Sequence, residues 1–246
     1  MIKIITLITK FIIVTLTALL FASCNQMTNM KAIEGSGHIT TEKRIVKGDF
    51  KSVEVSNAID LVIEQSDKTE IIVEADDNLQ KEITTKVENG KLIIACDYNS
   101  FNNIKSKKVT VKMPVIDLLE ASSAATIKSR NTIKGENIRL EASSAASIDL
   151  NIESDAVSCE SSSGSTIVIN GKALKLETTA SSGSTIDAKD LLANEIKAKV
   201  SSGASVTTHP IVSLDATASS GGSVSYNTVP KSIRKEENSG GSIHQE

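Results

Sequence analysis

Apolar and polar residues alternate with a period of two through long stretches of the chain. Leu140, Ala142, Ser144, Ala146 and Ile148 share one side, while Glu141, Ser143, Ala145, Ser147 and Asp149 share the other. The same parity runs through Leu176, Thr178, Ala180, Ser182, Ser184 and Ile186, and through Leu214, Ala216, Ala218, Ser220, Gly222 and Val224. Helical spacing finds no comparable stripe, so the pattern predicts strands. A short motif recurs inside it, beginning with Ser122-Ser123-Ala124-Ala125-Thr126-Ile127 and Ser143-Ser144-Ala145-Ala146-Ser147-Ile148. Ser162-Ser163-Gly164-Ser165-Thr166-Ile167 and Ser181-Ser182-Gly183-Ser184-Thr185-Ile186 follow, and further copies start at Ser201, Ser219 and Asn238. The starts are 21, 19, 19, 20, 18 and 19 residues apart, too short for a helix-turn-helix repeat. At about 3.3 Å per residue a coil of this length has a contour near 60 Å, enough for two or three short strands joined by bends. Coils stacked in register at roughly 4.8 Å give an all-β fold, a parallel β-helix solenoid with coils of about 19 residues.

Stacking places equivalent residues above one another. Ile127, Ile148, Ile167, Ile186, Val206, Val224 and Ile243 then form an apolar column, which explains how a chain with only 2% aromatic residues can build a core. Ser123, Ser144, Ser163, Ser182, Ser202, Ser220 and Ser239 form a second column, on the inward parity or at a bend, expected to satisfy itself as a ladder of hydroxyls. The next position changes from Ala124 and Ala145 to Gly164, Gly183, Gly203, Gly221 and Gly240, which predicts a tight bend with φ > 0 in the later coils. Glu237 stands where earlier coils carry Ala121, Ala142, Ser161, Ala180, Val200 and Ala218, as expected of a polar terminal cap.

Residues 35–118 are strand-rich without that period. Val53, Val55, Ile59, Leu61 and Ile63 alternate, and Ser56-Asn57-Ala58-Ile59-Asp60-Leu61 can be laid on the repeat motif as a degenerate coil. Further strands are predicted at Ile71-Ile72-Val73, Leu92-Ile93-Ile94 and Val109–Met113, with a helical or turn segment over Asp77–Ile83 and a hairpin turn at Asn89-Gly90.

Residues 1–23 read as an export signal: Lys3 and Lys10 precede a short apolar run, Phe11 to Leu20, that closes with Phe21-Ala22-Ser23-Cys24. Small residues directly before a cysteine resemble the lipobox of bacterial lipoproteins, which makes Cys24 the lipidated residue and residues 24–34 a polar tether. No acidic run follows Cys24, so the tether assigns no membrane face. The formal net charge of −3 loses two lysines and no acids with the leader, giving −5. An acidic chain without a basic stripe lacks the charge on which nucleic-acid binding depends. Cys96 and Cys159 both lie in apolar alternation and read as two buried thiols rather than a disulfide framework.

β-Helices also carry polysaccharide lyases and glycosidases, whose chemistry needs clustered acids or a base and a metal. The best candidates are Asp149 and Asp187, each just after the isoleucine column but two coils apart with Val168 between them, near 10 Å by the stacking distance. That is wide for an inverting pair, and both read as solvated surface residues. His38, His209 and His244 are scattered without metal-ligand spacing, and no Gly-Gly-x-Gly-x-Asp calcium repeat occurs. Gly35-Ser36-Gly37 reads as a turn, and the many equivalent serines lack a paired His and Asp. The residues therefore predict no cofactor, no metal and no catalytic centre.

Gly35-Ser36-Gly37, Asp49-Phe50 before an alternating strand, Ala75-Asp76-Asp77-Asn78-Leu79, Asn89-Gly90-Lys91-Leu92 and the Ser-Ser-Gly coils together resemble the head GIN domain adhesins, a family common among Bacteroidetes lipoproteins. The likeness spans about residues 35–243, with the Ala-Ala variants of the first two coils departing mildly from the glycine form. It implies a right-handed β-helix on the cell envelope, most simply at the outer membrane, with an adhesive or structural role and no catalytic residues. The expected organisation is a signal over 1–23, a tether over 24–34, a strand-rich part over 35–118 and repeat coils over 119–246. The expected function is a non-enzymatic, lipid-anchored envelope protein that presents a repetitive face to a protein or glycan. The alternative is a polysaccharide-active enzyme on the same scaffold.

Overall fold

The computed structural model describes Lys10, Thr15 and residues 31–98 and 100–246. From residue 31 every regular element among the described residues is a strand. The repeats stack as parallel coils through β10 (Leu118–Ala121), β11 (Thr126–Ser129), β12 (Ile133–Ala142), β13 (Ser147–Ser161), β14 (Thr166–Ala180), β15 (Thr185–Val200), β16 (Ser205–Ala218), β17 (Ser223–Tyr226), β18 (Ser232–Glu237) and β19 (Ser242–Gln245). Registers join Ile127, Ile148, Ile167, Ile186, Val206, Val224 and Ile243 one above the next. Every member of that column is 5% exposed or less. Beside it Leu140, Cys159, Thr178, Ala198 and Ala216 stack inward, so small side chains fill a narrow interior that aromatic rings would overfill.

Each corner is a two-residue turn. Ser122 C=O accepts from Ala125 N–H at 3.1 Å, and the two central residues, Ser123 and Ala124, have φ of 52° and 60°. Both therefore lie in the left-handed region, as a type I′ turn requires. The positive φ extends to all seven serines of that column and to the early alanines, beyond the later glycines where the sequence placed it. The serine column is also exposed, and its ladder is made by the backbone rather than by hydroxyls. Ala124 N–H donates to Ser144 C=O at 3.0 Å, Gly164 N–H to Ser182 C=O at 3.1 Å and Gly183 N–H to Ser202 C=O at 3.1 Å. Hydroxyls join the coils further on: the buried Ser165 and Ser184 donate to the C=O of Ala142 and Ser161 in the preceding coil, each at 2.8 Å, and one residue later Thr185 Oγ1 meets Ser205 Oγ at 3.2 Å and Ser223 Oγ meets Ser242 Oγ at 3.3 Å. At the corner, φ > 0 turns the serine side chain outward while its carbonyl lies along the stack.

Beneath the repeats, spatial order departs from chain order. β3 (Ser52–Val55) and β4 (Asp60–Gln65) form the first coil, in parallel register with β10 and β11, and Asn57 and Ala58 take the same positive φ as Ser123 and Ala124. The expected degenerate coil is there. Its other side is covered by β7 (Lys91–Cys96) and β9 (Lys107–Met113), which come later in the chain, so the backbone crosses back from β9 to β10. Antiparallel strands then close this end: β5 (Glu70–Asp76) on β9, β2 (Ile39–Arg44) on β5, and β6 (Ile83–Glu88) on β7 through the Asn89-Gly90 turn. β1 (Ala32–Glu34) pairs with β8 (Ser100–Asn102) at the rim. The segment after β5 is a turn, with Ile83 N–H donating to Leu79 C=O at 3.1 Å.

Candidate binding groove

A groove of about 940 Å³ runs along one side of the stack, from Lys51 and Asp117 at the first coils to Ser213 and Asp215 on β16. Its floor is the strand segment holding Ile138, Val157, Leu176 and Ile196, which are in register with one another and whose side chains are buried. The residues on either side of these four point outward, because a strand alternates faces. They make the walls. Lys175 and Glu177 flank Leu176 in one coil, Glu195 and Lys197 flank Ile196 in the next, and the charges are thereby exchanged across the stack. Lys175 Nζ lies 3.9 Å from Glu195 Oε2, and Lys197 Nζ lies 3.5 Å from Glu177 Oε1. Lys51, Lys134, Arg139, Lys175 and Lys197 are balanced in the lining by Asp117, Glu136, Glu177, Glu195 and Asp215.

Next to the groove, Glu54, Glu120, Glu141 and Glu160 stack in register. Lys91 bridges Glu54, at 3.4 Å, and Glu120, while Arg139 reaches Glu141 at 2.6 Å and Glu160 at 2.8 Å. Burial first, and then the neighbouring carboxylates of Glu120 and Glu160, push the Glu141 carboxyl up against the opposing pull of Arg139.

The sequence-derived candidates do not converge. Asp149 and Asp187 are separated by Val168 in the register, and Asp187 pairs with Lys189 at 3.3 Å. His209 and His244 lie on β16 and β19, whereas His38 precedes β2 at the opposite end. Among the described residues no group of three or more His, Cys, Asp or Glu side chains could hold a metal ion. Cys96 and Cys159 are free, buried thiols; burial pushes Cys159 up to about 12, which keeps it protonated and unreactive. Cys24 lies outside the described residues. Ser36 and Gly37 belong to the closed end, where the buried Asp76 carboxylate accepts from the backbone N–H of Gly37 at 2.8 Å, Lys105 at 2.9 Å and Ser106 at 3.0 Å. Burial alone would raise its carboxyl, but these amides outweigh it and hold it below the usual carboxylate range.

One further buried group went unnoticed in the sequence. Lys107 donates to Asn57 C=O at 3.0 Å, and its ammonium sits 3.2 Å from the centre of the Phe101 ring. Burial lowers it to about 8. It clips the β8 segment to the first coil. The groove was equally unread, although the exchanged triplets Lys175-Leu176-Glu177 and Glu195-Ile196-Lys197 are its signal in the sequence.

No curated protein matches the chain. Solved structures do. A putative adhesin from Bacteroides fragilis aligns with a TM-score of 0.80 at 20% identity, over 87% of this chain and 100% of its own. One from Parabacteroides merdae aligns at 0.73 and 20% identity, over 87% and 99%. A protein from Parabacteroides distasonis described as a putative lipid binding protein aligns at 0.70 and 20% identity, over 88% and 100%. At such identities the likeness is one of fold. The family model described as putative auto-transporter adhesin, head GIN domain, matches residues 49–230, which is most of the chain, and with the stacked coils already in place the chain belongs to that family.

Proposed function

We propose that the protein is a non-enzymatic, lipid-anchored adhesin of the cell envelope, held at the outer membrane through Cys24 and presenting the side of its coil stack to a protein or glycan. The observation that carries this reading is the groove, an elongated surface whose five cations and five carboxylates are spread along its length, two of each paired across coils, rather than gathered around a reacting centre. Membership of an adhesin family supports it. So does the separation of Asp149 from Asp187, since glycoside hydrolysis needs two carboxyl groups flanking one bond. In this reading residues 1–23 are removed on export, and the tether expected over 24–34 is shortened at its far end, because Ala32–Glu34 already pair with β8 as part of the body. Several acyl chains on one residue would anchor it durably.

Two measurements test it. Cys24→Ser should abolish incorporation of labelled fatty acid and release the protein from the membrane fraction; equal labelling of variant and wild type would remove the anchor from the proposal. The purified full-length chain, screened against envelope proteins and polysaccharides, should bind saturably without turnover. Cleavage of any polysaccharide would replace the adhesin with the enzyme.

A further inference from the structure

We infer that the groove holds a neutral polysaccharide laid along the axis of the stack. This rests on the adhesive reading and names its ligand. The groove crosses the strands instead of following them, and its floor segments are paired in parallel with the coils on both sides, from β12 through β16. Their amides and carbonyls are spent on one another. An extended peptide therefore finds no strand edge to lengthen and loses the main-chain bonds by which strand addition binds. Charge excludes a second class of ligand. Five cations face five carboxylates in the lining, and the walls pair across coils at 3.5 and 3.9 Å, so there is no field of one sign to draw in a polyanion or a polycation.

What the walls offer is alternation. Along one wall Arg139, Ser158, Glu177, Lys197 and Asp215 follow one another in register at intervals of roughly 4.8 Å, a donor, a hydroxyl, an acceptor, a donor and an acceptor, and along the other Lys175 and Glu195 stand opposite Glu177 and Lys197. A hydroxyl donates and accepts at once, so a chain of sugar rings with hydroxyls along its edge finds a polar partner at each of these levels, whether donor or acceptor. Within the walls themselves, the small side chains of Ala156 and Ser158 and the aliphatic stems of Lys175 and Lys197 offer apolar surface against which the C–H faces of the rings can lie. None of the four aromatic residues beyond the leader lines the groove, so no single ring is gripped by stacking. Binding accumulates along the length, which is about 29 Å from the level of Lys51 to that of Ser213 at the stacking interval.

The experiment titrates the full-length protein with malto-, manno- and xylo-oligosaccharides of increasing length, and with oligogalacturonates as acidic counterparts, by calorimetry. For a neutral series, affinity should rise until the chain spans the groove and stay flat beyond it. Glu177→Ala with Lys197→Ala, both on the surface, should weaken that series by about tenfold or more with unchanged circular dichroism, because charged hydrogen-bond partners are lost. Ser163→Asn, on the exposed serine corner where asparagine tolerates the positive φ, should bind as wild type does. Tighter binding of oligogalacturonates, affinity independent of length, or a double variant equal to wild type would overturn the inference while leaving an adhesin. Binding of none of these neutral glycans also overturns it, and the adhesive reading then stands or falls on the envelope-protein screen.

Discussion

Residues 119–246 and the closed end beneath them bury their interiors by different means. In the coils each inward residue is covered by its counterpart about 19 residues away, as Ile148 is by Ile167 and Leu176 by Ile196, and the corner bonds are mostly backbone to backbone, joined by the buried hydroxyls of Ser165 and Ser184. In the closed end the strands reverse direction, large aliphatics such as Ile71, Val73, Leu92 and Met113 replace alanines, and a buried carboxylate, Asp76, ties together segments around residues 37 and 105. The coils use repetition; the closed end uses contacts found once. The far end of the stack is finished differently again. Lys235 and Glu237 occupy inward positions of the last coil, Lys235 donating to Ile243 C=O at 3.2 Å and Glu237 accepting from Ile243 N–H at 2.6 Å. Charges turned inward on a terminal strand discourage further strand pairing. Damage should therefore spread along the stack from any coil, whereas at the closed end it should follow particular bonds.

The largest effect expected is from Ile167→Asp. Its carboxylate would sit in a fully buried column with apolar neighbours above and below, which costs on the order of 4 kcal/mol or more and should abolish a cooperative melt of the coils. A melting temperature equal to that of wild type would mean that the two sides of β14 are exchanged. Glycines separate the roles of shape and conformation inside the same coils. Gly171 has φ of 116°, and a Cβ there would lie 2.1 Å from Ile152 C=O; Gly171→Ala should cost roughly 3 kcal/mol in chemical denaturation. Gly183 has φ of 68° with nothing within 4 Å of a Cβ, and alanine already holds the equivalent place at 124 and 145. Gly183→Ala should cost only about 1 kcal/mol, and equal losses for the two variants would break the distinction.

The same contrast governs what could be read from the sequence. The coils were legible because each buried position repeats at a nearly fixed interval, so Ile127 through Ile243 announce both parity and stacking. Even Ser56-Asn57-Ala58 was recognisable as a corner, since local conformation travels with the motif. At the closed end the strands themselves and the Asn89-Gly90 hairpin were legible, but their order in space was not. That β7 and β9 lie beneath β3 and β4 depends on contacts between residues some 40 apart in sequence, such as Val53 with Leu92, which leave no periodic trace. The serine column lies at a bend, one of the two places open to it, but not as a ladder of hydroxyls, because period-two counting carries straight through a turn, where φ > 0 at two successive residues reorients the side chains. The groove escaped because the walls are defined by which residues flank an inward one in adjacent coils, a relation visible only once the register is known.

Asp76 tests the closed end. Its carboxyl is lowered in the folded protein, so its contribution is present above the unfolded carboxyl value, near 3.9, and is lost as pH falls through the lower folded value. Amide exchange at the 105–106 segment should therefore accelerate below about pH 4, while the corner amides of the central coils, which accept no help from a carboxylate, hold. Asp76→Asn should flatten that dependence and cost about 2 kcal/mol at neutral pH, because bonds to a charged acceptor become bonds to a neutral one. Exchange that accelerates equally in the coils would show that the two regions open as one unit.

The smallest effect is predicted at Thr178, and its sign carries the information. Thr178 is fully buried on β14, in register with Cys159 below and Ala198 above, and its hydroxyl has no hydrogen-bond partner among the described residues. An unpaired buried hydroxyl forfeits its water without compensation, so Thr178→Val should raise stability by about 1 kcal/mol, read as a small increase in melting temperature. The shape is nearly kept and the column remains one of small residues, so little else changes. At Asp76 the opposite holds: the polar group there is bonded to three amides, and removing its charge destabilises. A coil that gains from losing a polar atom beside a closed end that loses from the same change would separate the two modes of burial directly. A fall in melting temperature for Thr178→Val would instead place a working contact between the Thr178 hydroxyl and the Cys159 thiol, which burial keeps protonated, and Cys159→Ala would then reproduce part of the loss.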